Sequence, residues 1–590
     1  MALQLYQVVS TQSIFVLCKP KQHLPQTLKH HRRQQLSIQC VSKTEVSQPD
    51  SRMVYQPTIW SDVFIKLLDA SISINYERVN ELEQKVRSLL NPDSENGSLS
   101  VLQVLENIDD IERLGLGYRF QNDIIRALSI IADRNIVKIG EKEDSVYEAS
   151  LKFRLLRKHG YNVSQDFVRR FKDSRGDFMG VLKTDLKGLI NLYEASYLAF
   201  EGERDLHEAK LFATQYLPNF KGREYGAHEL INHALELPLY RRMLRLEARW
   251  YIDAYGKRED ANILMLELAA LDFNMVQSQL KTELQELSKW WKNIGLASKL
   301  SFVRDRLMEC FFWTVGMVFE PQYYSCRVGL TKVGALITVI DDIYDVYGSL
   351  NELKIFTDAV KRWDITAIEH MPEYLQVGYR ALFNTVTELC FNTPIALPIL
   401  AKEWGDLLEA FYVEAKWTHN KYIPTLEDYM NNAWRSVSGV VILSHGYFLI
   451  NKEMKKDTIE SFEKYHELLK WSSTIFRLCN DLGTSPDEIK QGKTANAISC
   501  YMHANRVCEE VAREYIKDLI DEAWRKMIKA QVACSQESGD PFIDMAINLA
   551  RLSHCTYQYG DGHGAPDARA KDRVVSVIIE PVKIRKKEHL

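Results

Sequence analysis

"VGALITVIDDIYDVYG", residues Val333 to Gly348, joins an uncharged apolar run to three carboxylates. The run Val333 to Ile340 carries no charge; Asp341, Asp342 and Asp345 follow it. On a helix, residues four apart share a face, so Asp341 and Asp345 are expected to point together. Asp342 then points roughly 100° away. Two carboxylates facing one space repel unless they are protonated or bridged by cations. Mg2+ suits them, because it is hard, prefers oxygen and shares its shell with water and substrate phosphate. The competing reading is a solvated helix end with ordinary ion pairs. The apolar run favours a cavity mouth instead.

Helical spacing dominates the rest of the chain. In "EASLKFRLLRKHG", Glu148 to Gly160, the residues Leu151, Phe153, Leu155 and Leu156 fall mostly on one face, and Gly160 fits a C-terminal stop. "SVLQVLENIDDIERLG" ends likewise at Gly115, and "YRRMLRLEARWYIDAYG" at Gly256. Strict alternation and hairpin-type NG or DG turns are rare after residue 50. The expectation is a nearly all-α protein. At 590 residues the chain exceeds one ordinary domain, and no repeat of fixed period suggests a solenoid. "YGKREDAN", Tyr255 to Asn262, is polar and turn-like. Two helical domains are therefore expected, 51–265 and 266–590.

Composition excludes several classes. With 46% hydrophobic and 26% charged residues the chain fits a globular protein with a sizeable core. A net charge of -4 argues against a nucleic-acid binder. No uncharged apolar run reaches the ~18 residues of a membrane span. The ten cysteines are scattered without a CxxC pair, as expected of reduced thiols. Residues 1–50 hold six basic residues (Lys19, Lys21, Lys29, Arg32, Arg33, Lys43) against Glu45 and Asp50, and are rich in Ser, Thr and Gln. That composition reads as a plastid or mitochondrial transit peptide, with a plain N-terminal arm as the alternative.

"RLCNDLGTSPDE", Arg477 to Glu488, is a second cluster. Asn480, Thr484 and Glu488 are spaced by four and four, so on one helix they form a stripe of amide, hydroxyl and carboxylate oxygens. A hard cation takes such donors. Pro486 disturbs a regular helix. The alternative is an N-cap, in which Thr484 or Ser485 caps a helix starting at Pro486, with Glu488 as a near capping-box partner. "RDR", Arg304 to Arg306, brings two guanidiniums just ahead of "LMECFFWTVG", and Arg477 stands three residues before Asn480. Arg forks grip phosphate oxygens in pairs. Acid clusters, arginines and an apolar wall together describe a site for a diphosphate on an apolar tail.

"DDIYD", "NDLGTSPDE" and "RDR", with "YQPTIW" at Tyr55 to Trp60 and "YGDGHGAPDARAKDRV" at Tyr559 to Val574, resemble the plant terpene synthases. The likeness covers nearly all of the chain after residue 50 and is strongest to the angiosperm plastidial monoterpene group. It implies a class I terpenoid synthase helical bundle in the C-terminal domain, holding the active site, and a catalytically silent N-terminal helical domain. It implies that Asp341 and Asp345 bind Mg2+ from one wall and Asn480, Thr484 and Glu488 from the other, three ions in all, with Mn2+ as the alternative metal. Arg304, Arg306 and Arg477 would grip the diphosphate, with Asp341, Asp345 and Asn480 beside them. Trp313 would line the cation pocket, and Tyr557 and Asp561 would belong to a lid. Asp342 would be a neighbour of the metal more than a ligand. The implied substrate is a prenyl diphosphate, geranyl diphosphate first, turned over in the plastid by a monomer or homodimer. The DxDD acid of class II cyclases is absent, since "NIDDIE" at Asn107 to Glu112 lacks its first Asp.

Four features refine that expectation. Asp50 and Ser51 stand where many cyclising relatives carry tandem arginines, and Arg32 and Arg33 are too far away to replace them. Asn496, in "GKTANAISCYM", stands where the family often has Lys, a variant similar to isoprene and ocimene synthases. Gly334 stands where isoprene synthases place a bulky Phe. "ELCFNTPIALPILAKEW", Glu388 to Trp404, is shorter than usual. Gly439 is expected either to permit close helix packing or to mark a helix break that turns carbonyls towards the cation. The expected reaction makes an acyclic monoterpene of the ocimene, myrcene or linalool type. The alternatives are a cyclising synthase of the α-terpineol or limonene type, a sesquiterpene or isoprene synthase, a prenyl-elongating transferase, and an inactive binding protein.

Overall fold

The periodic segments form helices at Val101–Arg113, Val146–Lys158 and Leu244–Tyr255. The first two end at glycines of positive φ, Gly115 at 78° and Gly160 at 82°, where a side chain would be strained. The third starts later than its pattern suggests, because Leu239–Arg241 wind as a short 3-10 turn. The computed structural model describes residues 55–71, 75–90, 99–137, 145–221, 226–451, 462–490, 495–534 and 539–583. The expected transit segment 1–50, with Arg32, Arg33 and Asp50, lies outside the described residues, as does Ser51. Among the described residues there is no β-strand, only one isolated bridge between Lys172 and Phe178. No described helix is long and apolar enough to cross a membrane.

The helix Ile263–Ile294 (α1) feeds two hydrophobic cores. Its first half gives Met265, Leu268 and Phe273 to a core shared with Leu105, Ile108 and Phe120. Its second half gives Val276, Leu280, Leu284 and Leu287 to the larger core of the C-terminal bundle. The two halves of the chain thus share a helix, which starts at Ile263 beside the expected boundary.

The bundle that follows contains Leu307–Met317 (α2), Tyr324–Asp342 (α3), Leu397–Asn420 (α4), Leu426–Ser436 (α5) and Gly439–Ile450 (α6). It continues with His466–Lys490 (α7), Ala497–Asn505 (α8), Glu509–Cys534 (α9) and Pro541–Tyr557 (α10). Every residue of α2 is buried, as its all-round hydrophobicity demands of a central helix. A buried ion pair docks α3 on α1: Arg327 Nη2 and Nε donate to Glu283 Oε1 and Oε2 at 2.6 and 2.8 Å. Arg327 Nη1 also donates to the carbonyls of Val318 and Glu320. This anchors the start of the helix whose far end carries Asp341. The shortened segment after Leu389 closes through a 3-10 turn at Pro394–Ala396, and α4 seats with Trp404 fully buried.

The N-terminal stretch at Trp60 is tied to the bundle by a second buried contact. Trp60 Nε1 donates to Glu309 Oε1 at 3.2 Å. Glu309 Oε2 has no hydrogen-bond partner, and Glu309 borders a void of about 20 Å3 shared with Trp313, Thr556 and Pro566. That is room for about one water. Burial pushes the Glu309 carboxyl up to about 7. Between pH 4.5 and 7 the unfolded chain has released this proton while the fold still holds it, so stability is complete below that window and falls as pH rises through it. Glu309→Gln keeps the acceptor for Trp60 and removes the titration. Its melting temperature is expected to depend less on pH between 5 and 8 than the parent's, with a gain on the order of 3 kcal/mol at pH 8. Parallel slopes in differential scanning calorimetry would contradict this.

Candidate active site

Asp342 ends α3, and the chain continues as a π-helical turn, Ile343–Tyr347. The Gly348 N–H bonds the Ile343 carbonyl, five residues back, at 2.9 Å. A Cβ on Gly348 would lie 2.5 Å from Leu353 Cδ2, so the Leu353 side chain would have to shift to admit one. The turn holds Asp345, so the simple α-helical register expected for Asp341 and Asp345 does not continue past Asp342. Asp341 is part-buried and Asp345 exposed, while Asp342 is fully buried.

Arg304 answers these charges. Its backbone N–H donates to Asp342 Oδ2 at 2.7 Å, its Nε lies 2.8 Å from Asp342 Oδ1, and its Nη2 donates to Asp341. Burial and the neighbouring Asp341 and Asp345 push the Asp342 carboxyl up to about 7, against the pull of Arg304. The same carboxylates hold the Arg304 guanidinium charged despite burial. The Tyr55 ring covers the guanidinium, with its carbon 4.7 Å from the ring centre. Arg306 is buried as well and donates Nη2 to the carbonyls of Gln56 and Gly564, both at 2.9 Å. The segment from Tyr55 and the loop at Gly564 therefore meet over "RDR".

The opposite wall is α7. The helix runs unbroken through Pro486 to Lys490, so the expected alternative of an N-cap at Thr484 or Ser485 is not what forms. Thr484 Oγ1 lies 3.0 Å from both the Asn480 carbonyl and Glu488 Oε1. Asn480, Thr484 and Glu488 thus share one face. Arg477 Nη1 donates to Asn480 Oδ1 at 3.1 Å and Nη2 to Ser436 Oγ at 2.9 Å. Asn496 is buried, caps α8 by accepting from the Ser499 N–H, and donates Nδ2 to Glu488 Oε2 at 3.2 Å. Asp481, also buried, accepts from the Tyr429 hydroxyl and the Ala497 N–H. Both expectations for Gly439 have a counterpart. Ser438 takes a left-handed φ of 70° between α5 and α6, and a Cβ on Gly439 would collide with Ser473 of α7.

An aromatic wall joins the two. Trp313 packs on Phe476, Tyr557 and His563 with ring centres 4.8, 6.1 and 6.2 Å apart. Tyr557 also stacks on Phe476, with ring centres 6.2 Å apart. Gly483 lets the segment at Tyr557 and Gly560 approach α7: a Cβ there would lie 3.0 Å from Tyr557 Cβ and 3.1 Å from the Gly560 carbonyl. Asp561 shapes the loop that follows by accepting from the N–H groups of His563 and Gly564. His563 escaped the sequence reading. Its Nε2 lies 3.3 Å from Thr338 Oγ1, and its buried Nδ1 has no partner. Burial, with Arg304 nearby, pushes the imidazole down, so it is neutral. A lone histidine among glycines in "GDGHG" was the available signal.

The donor chemistry fits a hard cation. All five candidate ligands offer oxygen, on two walls, beside arginines that suit an anion. Among the described residues no three His, Cys, Asp or Glu side chains are closed up around a metal-sized space. The carboxylates on one wall and the mixed oxygens on the other stand apart.

The profile described as Terpene synthase family, metal binding domain, matches residues 292–526, and that described as Terpene synthase, N-terminal domain, matches 59–235. A chloroplastic (E)-beta-ocimene synthase of Matricaria chamomilla var. recutita is 57% identical, over 98% of this chain and 99% of that protein. The crystal structure of isoprene synthase from grey poplar leaves (Populus x canescens), in complex with three Mg2+ ions and dimethylallyl-S-thiolodiphosphate, is 47% identical. It superposes with a TM-score of 0.80 over 89% of this chain and 99% of that one. A limonene synthase structure with 2-fluorolinalyl diphosphate is 40% identical, with a TM-score of 0.84 over 90% of this chain and 99% of that one.

The geometry separates the adjacent aspartates. Asp342→Ala removes the fully buried partner that Arg304 meets with both its backbone N–H and its guanidinium, leaving only the part-exposed Asp341, and is expected to cost about 3 kcal/mol or more. Asp341→Ala removes a carboxylate that is 34% exposed and is expected to cost under about 1 kcal/mol. Chemical denaturation of both variants checks the order.

Proposed function

Because the chain belongs to the terpene synthase family, we propose that it ionises geranyl diphosphate and forms an acyclic monoterpene of the ocimene, myrcene or linalool type, releasing diphosphate. The family comprises lyases acting on prenyl diphosphates, and the fold is that of class I terpenoid synthases. One observation carries the reading. Phe476, one turn before Asn480 on α7, packs on Trp313 and stacks on Tyr557, so the polar stripe and the aromatic wall meet on one helix.

In this reading Asp341 and Asp345 on one wall, and Asn480, Thr484 and Glu488 on the other, hold Mg2+. Bound Mg2+ supplies neutralisation of the charge that develops on the departing diphosphate. Arg304 and Arg477 place fixed positive charge at the same end, and Arg306 adds its charge from beneath the lid loop. Trp313, Phe476 and Tyr557 exclude water and present aromatic faces to the allylic cation. The neutral His563 offers Nδ1 as the base that ends the reaction: a C–H bond breaks, its electrons form the new double bond, and the proton goes to the imidazole. Gly334 favours a ten-carbon over a five-carbon substrate, since it lacks the bulky side chain expected of isoprene synthases; even a Cβ there would already touch Cys310 at 3.6 Å. The acyclic product is favoured by Asp50 and Ser51 in place of tandem arginines and by the likeness to an ocimene synthase. The basic segment 1–50 and the chloroplastic relative support a plastid address. The same reading assigns catalysis to 266–590 and a silent scaffold to 51–265.

The test incubates protein truncated near residue 51 with geranyl, farnesyl or dimethylallyl diphosphate and Mg2+, and identifies the volatiles by gas chromatography and mass spectrometry. Acyclic ten-carbon products from geranyl diphosphate are expected. Cyclic products would overturn the product assignment, and isoprene, sesquiterpenes or elongated diphosphates the substrate. Asp341→Ala is expected to lower turnover at least about 100-fold. His563→Phe is expected to lower kcat about 100-fold and to shift the remaining product from olefin to alcohol, as water replaces the missing base.

A further inference from the structure

The structure assigns Arg513 as a positioning residue that holds the proposed metal-binding stripe of α7 in helical register across Pro486; this rests on the metal-dependent reading above. Proline has no N–H, so Pro486 cannot bond the Leu482 carbonyl four residues back, and its ring crowds that carbonyl. An unpaired carbonyl in a packed helix is costly. Arg513 fills the gap from α9. Its Nη1 donates to the Leu482 carbonyl at 2.9 Å and its Nη2 to Ser485 Oγ at 2.8 Å. Its Nε donates to Glu509 Oε1 at 2.7 Å, which aims the fork.

The placement matters because of where the proline falls. Pro486 sits between Thr484 and Glu488. At roughly 100° per residue, Leu482 lies on the face of α7 opposite the stripe and Ser485 on its flank. Arg513 bonds Leu482, Ser485 and Glu509 and none of the proposed ligands, so it holds the turn that aims them from outside the stripe. Without it, the Leu482 carbonyl would seek water, the helix would open at the proline, and Glu488 would lose alignment with Asn480 and Thr484. Groups that orient ligands in this way typically govern metal affinity about 10- to 100-fold.

The substitution pair is self-checking. Arg513→Met keeps the aliphatic stem and removes the donors. Pro486→Ala restores an N–H that can bond the Leu482 carbonyl within the helix. Binding of Mg2+ with inorganic diphosphate is followed by calorimetry, and amide exchange across 482–490 by mass spectrometry in metal-free protein. Arg513→Met is expected to raise the half-saturating Mg2+ concentration at least about 10-fold and to speed exchange. The double variant Arg513→Met, Pro486→Ala is expected to recover both to within about twofold of the parent. Unchanged Mg2+ affinity in Arg513→Met, or loss that Pro486→Ala does not reverse, would overturn the assignment. A merely structural arginine would not be rescued by a change at Pro486. If the parent itself bound no Mg2+ with diphosphate, the proposed function would fail instead, so the two failures are distinguishable.

Discussion

Three carboxylates within five residues cannot share the end of an apolar helix unless a cation is supplied from inside the protein, and Arg304 is that cation. Like charges a few ångströms apart in a poorly hydrated site repel by several kcal/mol. Arg304 meets the charge with three groups, its backbone N–H, its Nε and its Nη2. Because its backbone is committed to Asp342, the strand "RDR" must lie against the end of α3. That placement brings Arg306 under Gln56 and Gly564, and so determines where the N-terminal segment and the lid loop close. The covers of the site are consequences of how its acids are neutralised.

The same logic explains a division of labour among neighbours. Asp342 and Asp481 each follow a candidate ligand in sequence and each turn inward, spending their oxygens on fixed donors. Asp341 and Asn480 are thereby left facing the space between the walls. Asn496 extends the pattern. A lysine there would add a charge beside Glu488, whereas the amide donates one hydrogen bond to Glu488 and caps α8 with its oxygen. The polar wall is held with neutral donors where the family often uses a cation.

Much of this was legible in the sequence because helical periodicity and oxygen-donor spacing are local. The helices ending at Gly115 and Gly160, the stripe Asn480, Thr484 and Glu488, and the aromatic run at Trp313 needed only neighbours along the chain. What stayed hidden depends on partners far away. Nothing local to "GTSPDE" tells an N-cap from a continuous helix, since the group that satisfies Leu482 stands on another helix. The π-helical turn after Asp342 breaks the regular period on which the spacing of Asp341 and Asp345 is read. The role of Glu309 needs Trp60, which lies 249 residues away. His563 sits in a glycine-rich loop without periodicity, so no pattern marks which wall it will meet.

The arrangement also bears on why one ionisation motif serves many products. The arginine and carboxylates proposed to meet the diphosphate are held by charge pairs whose geometry tolerates little change. Two of the groups that would meet the cation are held differently: Trp313 by ring contacts and His563 by a long contact to Thr338. Van der Waals contacts are weak singly and shift with a single methyl group, whereas a buried charge pair does not. In the proposed reaction the acid-rich end therefore commits the substrate to ionise. In that proposal, the distance from the carbon chain to His563 would govern whether the cation loses a proton before it closes a ring, and Thr338, which touches His563, would help to set it.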